Sequence, residues 1–205
     1  MLRRVRITKY THSCVRLEHD GGGGTLVIDP GIWSEPEALA GADAVLVTHE
    51  HGDHVDVLRL KGLNVPVYAP KAARIPGLDF AGVVADEEFT AAGFRVTAHG
   101  GQHARVYGGL PDCANLGYLV GDRLYHPGDS LHVPDRPVET LLVPLQGSWM
   151  KTEEAIDFVR AVEPERAYGI HDGQVNDRGL GSLNGWLTHE CGGRYRRLLP
   201  GATAR

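Results

Sequence analysis

Three histidines and one aspartate fall within six residues in Thr48-His49-Glu50-His51-Gly52-Asp53-His54. Imidazole and carboxylate are the usual ligands of zinc and similar cations. The apolar run Ala44-Val45-Leu46-Val47 stands immediately before them, so the cluster reads as a loop at the end of a buried strand. His49 and His51 are two apart, and an extended backbone puts them on one side. Asp53 and His54 follow where the chain turns toward a helix, so they face a neighbouring point. One loop can therefore feed two metals. The segment is not the H-E-x-x-H pattern of a helical zinc protease, because position 53 is Asp. Glu50 alternates away from its flanking histidines.

Three further segments repeat the theme of a strand running into a polar loop. They are Leu124-Tyr125-His126-Pro127-Gly128-Asp129-Ser130, Ala167-Tyr168-Gly169-Ile170-His171-Asp172-Gly173 and Val96-Thr97-Ala98-His99-Gly100-Gly101-Gln102-His103. Each is weak alone: an Asp in a Pro-Gly turn is commonly a turn former. Together the four loops each offer a metal-capable side chain, and such loops can gather at one edge of a sheet scaffold.

Strands must carry these loops. Apolar or alternating runs at 5–10, 14–17, 25–28, 44–48, 94–98, 116–120, 124–125, 141–143 and 166–170 read as strands between Gly- and Pro-marked turns. The Gly21–Gly24 run reads as a hairpin-like loop, because no helix start follows it to cradle a phosphate. Helices are fewer. Thr152 can cap a helix with Glu153 and Glu154 in its first turn and Ala155, Ile156, Val159 and Val162 on one face, stopped by Pro164. A second helix is expected from near Asp53 through Leu60, a short one from Pro36 to Ala40, and another over 70–75. The mixture fits a layered α/β or α+β architecture.

Composition narrows the function. The chain has 205 residues, 42% of them hydrophobic and 23% charged, enough for a real core, and it is read as one domain over 1–205. The net charge of −5 does not suit a broad nucleic-acid face. No apolar run reaches membrane-span length, and Met1-Leu2-Arg3-Arg4-Val5-Arg6 lacks the apolar segment of a secretory signal, so the cytoplasm is the expected compartment. Cys14, Cys113 and Cys191 are too far apart for a metal-type pair and read as free thiols.

The order of these motifs resembles the metallo-β-lactamase-fold hydrolase superfamily. The pieces are H-x-H-x-D-H at 49–54, a later lone His, Gly128-Asp129 and His171. His12-Ser13-Cys14 and Ile28-Asp29-Pro30-Gly31 resemble the compact group that includes ascorbate-6-phosphate lactonase. The resemblance spans about residues 5–172 and implies a four-layer αββα sandwich with the metal centre at one edge of the paired sheets. It implies that His49 and His51 bind a first metal with a third His, that Asp53, His54 and His171 bind a second, and that Asp129 bridges both. The third His is His103 or His99; the Gly-rich turn before His103 favours it. Asp29 is a candidate brace behind a ligand. His12 and His126 are candidates to contact substrate, pass a proton or brace ligands, and Asp53 to orient the nucleophile. Trp149 either walls the pocket or packs in the core.

Two divalent cations, zinc first and manganese or iron as alternatives, can lower the pKa of a shared water toward neutrality. The expected activity is attack by this metal-activated hydroxide on a small, preferably anionic, ester, lactone or phosphodiester. No serine or cysteine nucleophile motif is present. The expected partner is a small molecule, with homo-oligomerisation open, and neither a membrane nor nucleic acid. The competing readings are an inactive metal-binding regulatory module and a nuclease acting on short nucleic acid.

Overall fold

The computed structural model describes residues 5–205; the basic start Met1-Leu2-Arg3-Arg4 lies outside them. The strands are Val5–Lys9 (β1), Val15–His19 (β2), Thr25–Ile28 (β3), Ala44–Leu46 (β4), Val67–Pro70 (β5), Ala81–Val83 (β6), Glu88–Ala91 (β7), Phe94–Gly100 (β8), Leu116–Val120 (β9), Leu124–His126 (β10), Thr140–Pro144 (β11), Arg166–Ile170 (β12), Tyr195–Arg196 (β13) and Thr203–Ala204 (β14). They form two seven-stranded sheets, ordered β14-β1-β2-β3-β4-β5-β6 and β13-β12-β11-β10-β9-β8-β7. Both are mixed. In the first, β1 to β3 run antiparallel and β3 to β6 parallel. In the second, β7 to β10 run antiparallel and β10 to β13 parallel.

Period-two alternation sorts the side chains into layers. Leu26 and Ile28 of β3, Ala44 and Leu46 of β4, Val96 and Ala98 of β8, and Leu142 of β11 join one core between the sheets. The alternate residues Val27, Val45 and Val47 pack outward against Leu39 and Leu60. On the other sheet, Leu141 and Val143 pack outward on Ile156, Phe158 and Leu187. The helices supplying those outer residues are Val57–Lys61 (α1), Thr152–Val162 (α2) and Asp177–Cys191 (α3), with a short 3-10 turn at Pro36–Leu39. The result is the expected αββα sandwich.

Several expected boundaries move. The helix anticipated from Asp53 begins at Val57, with the Asp56 side chain accepting from the Arg59 N–H. Residues 51–55 instead close a turn in which the N–H groups of His54 and Val55 both donate to the His51 carbonyl. The 70–75 helix is replaced by a turn closed from Ala73 N–H to the Pro70 carbonyl. Helix α2 starts at Thr152 with Lys151 outside it, and the Glu154 carboxylate accepts from the Lys151 N–H at 2.6 Å.

Topology positions the site. β1, β3 and β4 point one way within their sheet, as do β8, β10 and β12 in theirs. The loops that leave these six strands carry His12, Asp29, residues 48–54, His103, Asp129 and His171.

Candidate metal centre

These loops meet at one end of the sandwich. Three groups of donor atoms each lie within 4.8 Å of one another: His12, Asp53, His54 and His171; His49, His51 and His103; and His49, His54 and Asp129. The two groups expected from the sequence are therefore neighbours, and Asp129 lies where they join. His103 belongs to the cluster. His99 does not; its Nδ1 lies 3.8 Å from Asp135, and its ring faces those of Tyr125 and His132.

Tautomers follow from the hydrogen bonds. Nδ1–H of His54 donates to Asp29 Oδ2 at 2.7 Å, and Nδ1–H of His103 donates to the Ala104 carbonyl at 2.6 Å. Nδ1–H of His171 donates to the Gln146 carbonyl. These oxygens only accept, so each ring carries its proton on Nδ1 and keeps a lone pair on Nε2. Those three Nε2 atoms lie 3.1, 3.3 and 3.0 Å from the Asp129 carboxylate. They are buried, as is Asp129 Oδ1, and none of the four atoms makes a well-formed hydrogen bond. Buried lone pairs aimed at a buried carboxylate repel unless a cation or protons lie between them. This donor set fits a divalent metal.

The charges respond accordingly. Burial disfavours the Asp129 carboxylate, but His54, His103 and His171 outweigh it and hold the group well below the usual range. Burial likewise disfavours protonated His54, yet Asp129 and Asp29 raise it well above its ordinary value, so that where no cation lies between Nε2 and Asp129 a proton takes its place. His49 is pushed well below its ordinary value by burial and then by His54. Burial opposes ionisation of Asp53 too, but the His12 hydrogen bond and the charge of His54 bring it down to about 2.

The surrounding residues hold these groups in place. Asp29 accepts from Thr48 N–H and Thr48 Oγ1–H, both at 2.7 Å, besides His54. His12 accepts from Gly173 N–H on Nδ1, which leaves its proton on Nε2 to donate to Asp53 Oδ2 at 3.1 Å. His126 is fully buried with both ring nitrogens engaged by backbone: Nε2–H donates to the Ser13 carbonyl, and Nδ1 accepts from Gly128 N–H. That contact fixes the Gly128-Asp129 turn.

Asn115 and Lys9 escaped the sequence reading, and Trp149, left open there between pocket wall and core, reaches the cluster. Asn115 accepts from Asp129 N–H at 3.0 Å and donates to the Pro127 carbonyl at 2.8 Å. Trp149 donates Nε1–H to Asp129 Oδ2 at 3.2 Å. Lys9, 1% exposed inside β1, donates to the carbonyls of Tyr10 and His12 and to Asp172. A lone Asn and a Lys within a strand carry no spacing signal.

Comparison with known proteins agrees with this geometry. A family model described as the Beta-lactamase superfamily domain matches residues 6–171. Protein Rv0786c of Mycobacterium tuberculosis is 39% identical over 196 residues, covering 90% of this chain and 92% of that protein. A UPF0173 metal-dependent hydrolase of Korarchaeum cryptofilum is 32% identical over 142 residues, 62% of this chain and 60% of that one. Among solved structures, Igni18, a metallo hydrolase from Ignicoccus hospitalis, superposes with a TM-score of 0.74 at 18% identity, covering 98% of this chain and 97% of its own. The chain belongs to the β-lactamase superfamily domain family, as a hydrolase of the metallo-β-lactamase fold.

Proposed function

We propose that this protein is a dinuclear metal-dependent hydrolase of small esters, lactones or phosphodiesters. The observation that carries the reading is the convergence of buried, unpartnered imidazole nitrogens on Asp129. In this assignment His49, His51 and His103 hold one cation. Asp53, His54 and His171 would hold the other, with Asp129 placed between the two groups. Divalent cations held there, zinc by preference and manganese or iron with the same donors, supply an acidified water and a Lewis acid for the substrate oxygen.

The chain's own residues do the rest. Asp53 is the more exposed of the two clustered carboxylates, and with metal bound it would orient the attacking water. His12 keeps that carboxylate in place with its Nε2 proton. Asp29 and the carbonyls of Ala104 and Gln146 hold the imidazoles in the ligating tautomer. Trp149 holds Asp129 Oδ2 through its indole N–H. His126 fixes the turn that presents Asp129 and works through backbone, not on substrate. No side-chain nucleophile enters the scheme.

The test is elemental analysis of the purified protein paired with turnover of bis(p-nitrophenyl) phosphate, p-nitrophenyl acetate and a γ-lactone. The expected result is about two metals per chain and turnover abolished by a chelator. Failure to retain metal after reconstitution with zinc or manganese overturns the reading.

A further inference from the structure

We infer that the substrate carries an uncharged apolar group, alkyl or aromatic, which lies against a hairpin arm formed by residues 104–113. The inference rests on the hydrolase reading above and names the part of the substrate that the metal centre does not touch.

The arm is a built element. Ala104 N–H donates to the Asp129 carbonyl at 2.8 Å, and His103 N–H donates to the Cys113 carbonyl at 3.1 Å. Its base is therefore tied to two residues of the metal centre. At its tip Tyr107 and Leu110 exchange backbone hydrogen bonds of 3.2 and 2.9 Å around Gly108-Gly109. Both glycines have positive φ, 57° and 89°, which lets so short a turn close. This geometry presents Tyr107 and Leu110 side by side, 87% and 64% exposed, with Val106 at 48%. Large apolar side chains grouped on a surface mark a binding face.

The arm walls a hollow of about 550 Å³ whose other side is His51, a size that suits a small-molecule group. The hollow thus reaches one of the candidate metal ligands. Its remaining polar lining is Glu50 and Asp112; no lysine or arginine lines it among the described residues. Two carboxylates repel an anion, and the apolar remainder of the lining, Val106, Tyr107, Leu110 and Pro111, favours an uncharged group over a hydrated cation. Two more exposed apolar side chains, Ile32 and Trp33, lie beside the cluster. Ile32 lies over Gly52, and Trp33 sets its edge against His12 at 4.8 Å. The metals' charge favours negative charge developing at the reacting carbonyl or phosphorus, whereas the flank selects an apolar appendage.

The test uses the metal-loaded protein and the variant Y107S/L110S. Both positions are exposed, so folding is little disturbed, and metal content checks the centre. Calorimetric binding of octanamide is compared with that of acetamide. Wild type is expected to bind octanamide about tenfold more tightly or better, from several partly buried methylenes, and the variant to lose most of that margin. Equal affinity for the two amides overturns the inference, as does an unchanged margin in the variant. A concentration-dependent dimer that dissociates in the variant assigns the arm to a second copy and also overturns it. Turnover of p-nitrophenyl octanoate against acetate separates this inference from the hydrolase reading. A length preference that vanishes in the variant supports the arm. Absence of turnover with variant-sensitive octanamide binding overturns the ester part of the proposed function and leaves the arm's specificity standing.

Discussion

Buried Lys9 and part-buried Asp172 form an ion pair at 2.9 Å that joins the end of β1 in one sheet to the end of β12 in the other. The Lys9 ammonium also donates to the carbonyls of Tyr10 and His12. Asp172 accepts in addition from His12 N–H, and His171 N–H donates to the His12 carbonyl. The pair therefore locks together the two loops that carry His12 and His171. Removing one partner strands a buried charge, which costs about 3–5 kcal/mol in comparable sites. K9M and D172N are each expected to lose stability on that scale in urea unfolding. K9M/D172N is expected to lose less than the sum, and strict additivity would remove the pair from this role.

Asp29 satisfies three donors at once, so D29A frees Thr48 and His54 together. Partners behind metal-bound histidines typically contribute 10–100-fold in affinity. Zinc competition against a chelating dye is expected to show weakening of about that size, and wild-type affinity would count against the brace.

His103 and His99 differ by four positions and by everything that surrounds them. H103A is expected to bring metal content from about two to about one per chain. H99A is expected to leave it unchanged. Elemental analysis of the two variants decides between them, and equal small losses would displace the proposed third ligand.

Two glycines of the site tolerate a methyl group very differently. A Cβ on Gly31 would stand 1.8 Å from the Asp53 carbonyl oxygen, whereas one on Gly52 meets only Ile32 Cδ1 at 3.9 Å. G31A is expected to destabilise by about 2 kcal/mol or more, because the clash is with backbone that holds a ligand. G52A is expected to shift Tm little. Thermal melts of both variants test the contrast.

Thiol reactivity follows exposure and acidity. Cys14 is fully buried and its thiol is pushed up to about 12, and Cys113 up to about 11, both by burial. At pH 8 the thiolate fraction at Cys14 is about one in ten thousand. Alkylation followed by mass spectrometry is expected to label Cys191, the most exposed of the three, before the others, and Cys14 only on unfolding. Early labelling of Cys14 would contradict its place in the core.

The alternation in β3, β4, β8 and β11 was legible because each layer of a sandwich needs a fixed side-chain period. The donor cluster at 49–54 was legible because loop histidines at that spacing have few other reasons to coincide. Helix α3 was not: Gly179, Gly181 and Gly185 dilute its apolar stripe, and tertiary packing of Leu187 and an Asn176 cap hold it instead. Strands β5 to β7 are short and partly exposed, so their pairing and not their composition defines them. The two candidate roles that distance in sequence concealed, Lys9 with Asp172 and Trp149 with Asp129, depend on contacts across 163 and 20 positions.

Apart from its last strand, the chain is written in two consecutive halves. Residues up to Val83 build β1 to β6 of the first sheet, Glu88 to Arg196 build the second, and β14 returns to pair with β1. The donors divide the same way: His49, His51, Asp53 and His54 belong to the first half, His103, Asp129 and His171 to the second. Each half is thus an incomplete chelator, and on the proposed assignment each cation is a rivet through both. Metal capture then reports docking of the halves, and a chelator loosens the seam between the sheets before it unravels either one.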